Sequence, residues 1–164
     1  MRGYVTKTTN LETPIDYQPL VEVIGDAIVV ADASGAITLW NPAAERLFGF
    51  SQAEALGNSL DLIIPERLRE RHWAGYRKTM ASGATRYAHD VLRVPAVHKD
   101  GRKLSIAFTV GLLQGPQRNV IGIVAVIRDE TTRFAEDRNL RHRLAELERN
   151  AASEVSPGGL TCYS

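Results

Sequence analysis

Residues 26–50 read DAIVVADASGAITLWNPAAERLFGF, and the fold turns on how this stretch is parsed. Residues 27–31 are a β-branched run suited to a strand, Asp32-Ala33-Ser34-Gly35 is a turn, and residues 37–40 are extended again. The three pieces make a hairpin. Asn41-Pro42 ends it, because an asparagine side chain accepts from the first unpaired helical N–H groups and proline suits the first helical position. A short helix over residues 43–48 follows, closed by Gly49. Ser51 with Glu54 three residues later is a capping-box pattern, which predicts a second short helix ending near Gly57.

Upstream, residues 17–24 form a short lead-in helix with Leu20, Val21 and Ile24 apolar. Downstream, Pro65 opens the longest mid-chain helix, which runs to about Ser82 and stops at Gly83. On it Leu68, His72, Tyr76 and Met80 fall at steps of four and form one stripe. Residues 91–97 are strand-like and Lys99-Asp100-Gly101 is a tight turn. Leu104, Ile106, Phe108 and Val110 then alternate with Ser105, Ala107 and Thr109, a two-residue period. A Gly/Pro loop over 114–119 leads into an apolar strand over 120–127. Two strands, short helices, then three strands is the order of an α+β fold: an antiparallel sheet with helices on one face. After Arg128-Asp129-Glu130-Thr131 the pattern changes. Leu140, Leu144, Leu147 and Ala151 are spaced four, three and four, an a/d seam for a coiled-coil-like helix. The expected division is a loose tail over 1–14, one domain over 15–132, a signalling and dimerisation helix over 133–152, and a disordered Ser/Gly/Pro-rich tail over 153–164.

Composition narrows the class. A chain of 164 residues with 44% hydrophobic and 24% charged residues suits one globular domain with short extensions. A net charge of +1 creates no field that would draw in nucleic acid or an acidic membrane. No apolar run approaches the roughly 20 residues that span a bilayer, and the polar residues 1–10 contain no leader-like apolar region. The one cysteine, Cys162, rules out a disulfide framework and a cysteine metal site, and a reducing cytoplasm is the simplest compartment.

The stretch 26–32, the stretch 35–50, Lys99-Asp100-Gly101 and Arg128-Asp129-Glu130-Thr131 together resemble the PAS domain family over about residues 15–132. The resemblance implies a five-stranded antiparallel sheet, a cavity between sheet and helices, and a signal leaving through the terminal helix. The family's usual closing triad is Asp-Ile-Thr; here Glu130 stands in place of the Ile.

His72 lies on the apolar stripe, and a neutral imidazole nitrogen on a rigid helix is a good iron ligand. The segment 71–76 and the spacing from His72 to Met80-Ala81-Ser82-Gly83 resemble heme-PAS oxygen sensors of the rhizobial histidine-kinase type. That resemblance makes heme b the leading cofactor candidate, with His72 on the iron and Leu68, Tyr76, Met80, Leu92, Ile106, Phe108 and Val110 around it. Those sensors place an Arg where this chain has Leu92, with Arg93 on the opposite strand face. Leucine donates no hydrogen bond, so carbon monoxide or nitric oxide would be favoured over oxygen. His89 is a second axial candidate. Flavin ranks behind heme: light-sensing relatives need a cysteine in the helix after the second strand and this chain has none there, although Trp40 and Asn41 could line a redox-flavin pocket. A structural His72 in a cofactor-free interaction module and a small-molecule-binding domain are the competing readings.

Catalytic chemistry has no support. His89-Asp90 and Asp129-Glu130 are strand neighbours that point apart, and the glycines sit at element ends rather than in a phosphate loop. His142 and His98 read as a helix-surface and a hairpin residue. The expected mechanism passes strain along the last strand through Asp129 and Thr131 to the helix bearing Leu140, Leu144 and Leu147, which would pair in a homodimer. The output partner is then a separate or fused protein.

Overall fold

The computed structural model describes residues 16–154. A short helix α1 (Gln18–Val23) leads into strands β1 (Ala27–Asp32) and β2 (Ile37–Trp40). Helices α2 (Pro42–Phe48), α3 (Gln52–Ala55) and α4 (Glu66–Ser82) follow. Strands β3 (Leu92–Val97), β4 (Lys103–Gln114) and β5 (Val120–Asp129) come next, and α5 (Thr131–Glu154) ends the described chain. Single 3₁₀ turns at Leu60–Leu62 and Arg86–Ala88 were not visible in the hydrophobic period.

The sheet has five strands in the order β2-β1-β5-β4-β3, every pairing antiparallel. The first hairpin is therefore joined to the last strand: Ala27 lies opposite Ile127 and Asp32 opposite Gly122. Pro95 is tolerated because β3 is an edge strand. On one face Ala27, Val29, Ala96, Leu104, Ile106 and Ile127 pack with Trp40, Phe48, Ala55 and Ile63 to form the core. Trp40 and Phe48 are fully buried, with ring centroids 5.3 Å apart.

Local signals act where the sequence puts them. Asn41 caps α2 through Ala44 N–H, and Ser51 and Glu54 complete the capping box on α3. Three boundaries move. β4 extends to Gln114, because its pairing with β5 continues past the alternating stretch. The terminal helix starts at Thr131 rather than 133, where Asp129 Oδ1 accepts from Thr131 N–H. It also continues through residues 153 and 154, which the sequence assigns to a disordered tail. The expected tail over 1–14 and residues 155–164 lie outside the described residues.

Candidate functional site

Helix α4 carries the site. The Pro65 carbonyl accepts from Leu68 N–H at its start, and Gly83 closes it in the left-handed region with φ of 65°. The inward-facing residues are Leu68, Arg69, His72, Trp73, Tyr76, Thr79 and Met80; the rest of the helix is exposed. The stripe of Leu68, His72, Tyr76 and Met80 read from the sequence is thus the inward one, and Tyr76 is its most buried member at 6% exposure.

Two aromatic side chains fasten α4 down. The Trp73 indole N–H donates to Asp61 Oδ1 at 2.8 Å, and the Trp73 ring lies over Gly35. Arg69 donates to the carbonyls of Asp61 and Ile64 beside it. The Tyr76 hydroxyl donates to the Asp32 carbonyl at the end of β1. Burial, and then the nearby Asp32 carboxylate, push the Tyr76 phenol up to about 12. Trp73, Asp61 and Gly35 were not recognised as site residues in the sequence; the only signal was the aromatic next to His72 on the same helix.

His72 completes a triangle with these rings, 5.0 Å from Trp73 edge to face and 5.8 Å from Tyr76, centroid to centroid, with Trp73 and Tyr76 themselves 5.4 Å apart. Its Nε2 is a buried side-chain nitrogen with no hydrogen-bond partner among the described residues. Burial lowers the imidazole below its ordinary value, partly offset by the Asp61 carboxylate. His72 is therefore neutral near pH 7 and keeps a lone pair available. The consequence for stability has a definite sign. Below the ordinary value of 6.5 the unfolded chain takes up a proton that the folded chain refuses, so stability is retained above that value and lost as pH falls toward the lower folded value. Thermal melts between about pH 7 and about pH 5.5 should show a larger drop in Tm for the native chain than for His72→Gln. Equal drops would mean that His72 titrates as an exposed imidazole.

Strand register puts Leu92 opposite Phe108, Val94 opposite Ile106 and Val110 opposite Ala125, so Leu92, Ile106, Phe108 and Val110 share the helix-facing side. Ile106 is part of the packed core, while Leu92, Phe108 and Val110 are half-buried. Arg93 leaves by the other face, as strand alternation requires, and is exposed. His89 is exposed and lies in no strand. The Trp40 indole N–H is taken by the Phe50 carbonyl at 3.0 Å, and both ends of the Asn41 amide are occupied by backbone groups. Neither residue has free hydrogen-bonding capacity for a flavin ring. Open clefts of about 440 Å³ and 360 Å³ border Arg46 and Arg128, and Tyr17 and Gln52, respectively; neither includes His72.

At the far end, Asp129 Oδ1 accepts from Thr131 N–H at 2.8 Å, and Thr131 Oγ1 accepts from Ser105 N–H at 3.0 Å. Leu140, Leu144 and Leu147 on α5 are all more than half exposed. His142 is exposed and faces Glu146, and His98 packs on Gly49 beside Asp100, both structural positions.

A family model described as the PAS fold matches residues 15–129. The chain belongs to the PAS family. This PAS domain is 28% identical over 134 residues to the sensor protein FixL of Bradyrhizobium diazoefficiens, covering 81% of the chain and 26% of that protein. It is 24% identical over 144 residues to the oxygen sensor protein DosP of Escherichia coli, covering 87% of the chain and 18% of DosP. The crystal structure of a PAS domain from Colwellia psychrerythraea superposes with a TM-score of 0.61 at 24% identity, over 70% of this chain and 93% of that one. The chain thus spans about a quarter or less of the length of these curated relatives. Its curated relatives include signal-transduction sensors. No helix among the described residues is long and apolar enough to cross a membrane.

Proposed function

We propose that this PAS domain takes its input at His72, between α4 and the sheet, and passes it through Asp129 and Thr131 to α5. One observation supports this most directly: the His72 Nε2 is buried without a partner among the described residues, on an imidazole whose burial keeps it neutral at pH 7. A buried polar atom left unpaired costs about 1–3 kcal/mol, and His72 would offset that cost by holding heme iron. The donor chemistry fits heme b. Leu68 and Met80 flank His72 on α4, and Leu92, Phe108 and Val110 would supply apolar surface from the sheet. Bound heme would supply reversible diatomic-gas binding. Leu92, lacking a donor, favours carbon monoxide or nitric oxide over oxygen in that reading.

Within the proposal α5 pairs with a second copy through Leu140, Leu144 and Leu147 and acts on a fused or separate output protein in the cytoplasm. The domain itself performs no catalysis. A cofactor-free interaction module is favoured by a different observation: Trp73 and Tyr76 already hold α4 against the β1–β2 turn and pack with the His72 ring in one aromatic cluster.

Spectroscopy separates the two. The full chain expressed with a heme precursor, or titrated with hemin, should show a Soret band that His72→Ala abolishes while the far-UV circular dichroism is unchanged. A colourless chain after hemin titration would sink the heme reading and leave the cofactor-free one. A flavin absorption envelope would replace it with a redox sensor.

A further inference from the structure

β3 is an edge strand, bonded on one side only, to β4. It is therefore one of the two strands freest to shift within the sheet. Its residues alternate: Leu92 faces the helices, and Arg93 emerges on the opposite side. There the Arg93 Nε donates to Glu130 Oε2 at 2.9 Å. The other carboxylate oxygen, Oε1, accepts from Arg133 Nη1 at 3.3 Å. One carboxylate is thus shared between the strand bordering the candidate site and the first turn of α5. The Glu130 side chain is 20% exposed, against 59% for Arg93 and 76% for Arg133, so the acid is the enclosed member of the trio. The backbone closes the same joint. Glu130 N–H donates to the Ser105 carbonyl, and Phe134 N–H donates to the Glu130 carbonyl, each at 2.8 Å.

The geometry points to Glu130 as the positioning residue of the output joint, coupling the placement of β3 to the order of the first turn of α5. This rests on the reading of α5 as the output helix and extends it by naming the link. An occupant pressing on Leu92 moves Arg93 with it, because the two are neighbours on one extended strand. A shift of about 1 Å takes a 2.9 Å bond outside hydrogen-bonding range. The carboxylate then loses its anchor on the sheet, and the first helical turn loosens.

Hydrogen exchange on the full chain tests this without any cofactor. Glu130→Ala and Arg93→Ala should each speed exchange at the first-turn amides of α5 by about twofold to fivefold, the span set by a partly exposed ion pair. The double variant should exchange no faster than either single one. High salt should mimic the single variants. Leu92→Ala, or the milder Leu92→Val if the first unfolds, should speed the same amides in the native background and not in Glu130→Ala. Unchanged exchange in Glu130→Ala, additive effects in the double variant, or equal responses to the Leu92 change in both backgrounds would overturn the inference. A colourless protein with this coupling intact removes only the heme reading. A Soret band without the coupling removes only this one.

Discussion

Asn41→Ala is expected to destabilise the domain by about 3–4 kcal/mol, the largest effect of any polar substitution in it. Asn41 is 3% exposed. Its Oδ1 accepts from Ile28 N–H at 2.9 Å and Ala44 N–H at 3.0 Å. Its Nδ2 donates to the carbonyls of Val21 and Asp26, both at 3.1 Å. One amide therefore joins α1, the start of β1 and the start of α2. Loss of the cap alone costs about 1 kcal/mol, and each buried group left unpaired adds about 1–3 kcal/mol with incomplete additivity. Chemical denaturation should show a lower midpoint at unchanged slope. Asn41→Asp keeps the acceptor but turns a carboxylate on two carbonyls, so it too should destabilise. A loss under about 1 kcal/mol for the alanine variant would show that water replaces the amide at this junction.

Gly35→Ala is expected to cost about 3 kcal/mol and to release α4 from the β1–β2 turn. Gly35 has φ of +88°, and a Cβ there would lie 2.2 Å from the Trp73 ring. Backbone strain in this region contributes about 1–2 kcal/mol for a residue with a side chain. The remainder comes from displacing Trp73 and its bond to Asp61 Oδ1. Gly57→Ala is the matched control: φ is +78°, but nothing lies within 4 Å of its Cβ, so only the strain is felt. Gly35→Ala should also redshift tryptophan emission, because of the two tryptophans Trp40 is fully buried away from the change and Trp73 is not. Equal destabilisation by the two substitutions, with no spectral shift, would show that the Trp73 contact does not hold α4.

The elements were legible because their causes are local. Asn41-Pro42, Ser51 with Glu54, and Gly83 act within one turn of chain, and the period of four on α4 and of two on β4 reports which side is buried. The stripe through His72 was legible for the same reason. The surroundings of His72 were not. A helical period says that Tyr76 points inward, but not that its hydroxyl ends on a carbonyl 44 residues away. Glu130 read only as a departure from a family triad, because its partner Arg93 lies 37 residues off and on the opposite face from the stripe.

The sequence by itself determined the strands, the caps and the inward face of α4, since backbone sterics, capping and hydrophobic period need only near neighbours, and the order of its motifs carried the resemblance to the PAS family. Only the tertiary structure decided which of those pieces touch. The order β2-β1-β5-β4-β3 sets the first hairpin against the last strand and brings the end of β5 within reach of β3. That arrangement places Trp73 over Gly35, leaves the His72 Nε2 without a partner among the described residues and hands Glu130 to two arginines. Such contacts depend on burial and charge between distant segments, which no local pattern encodes.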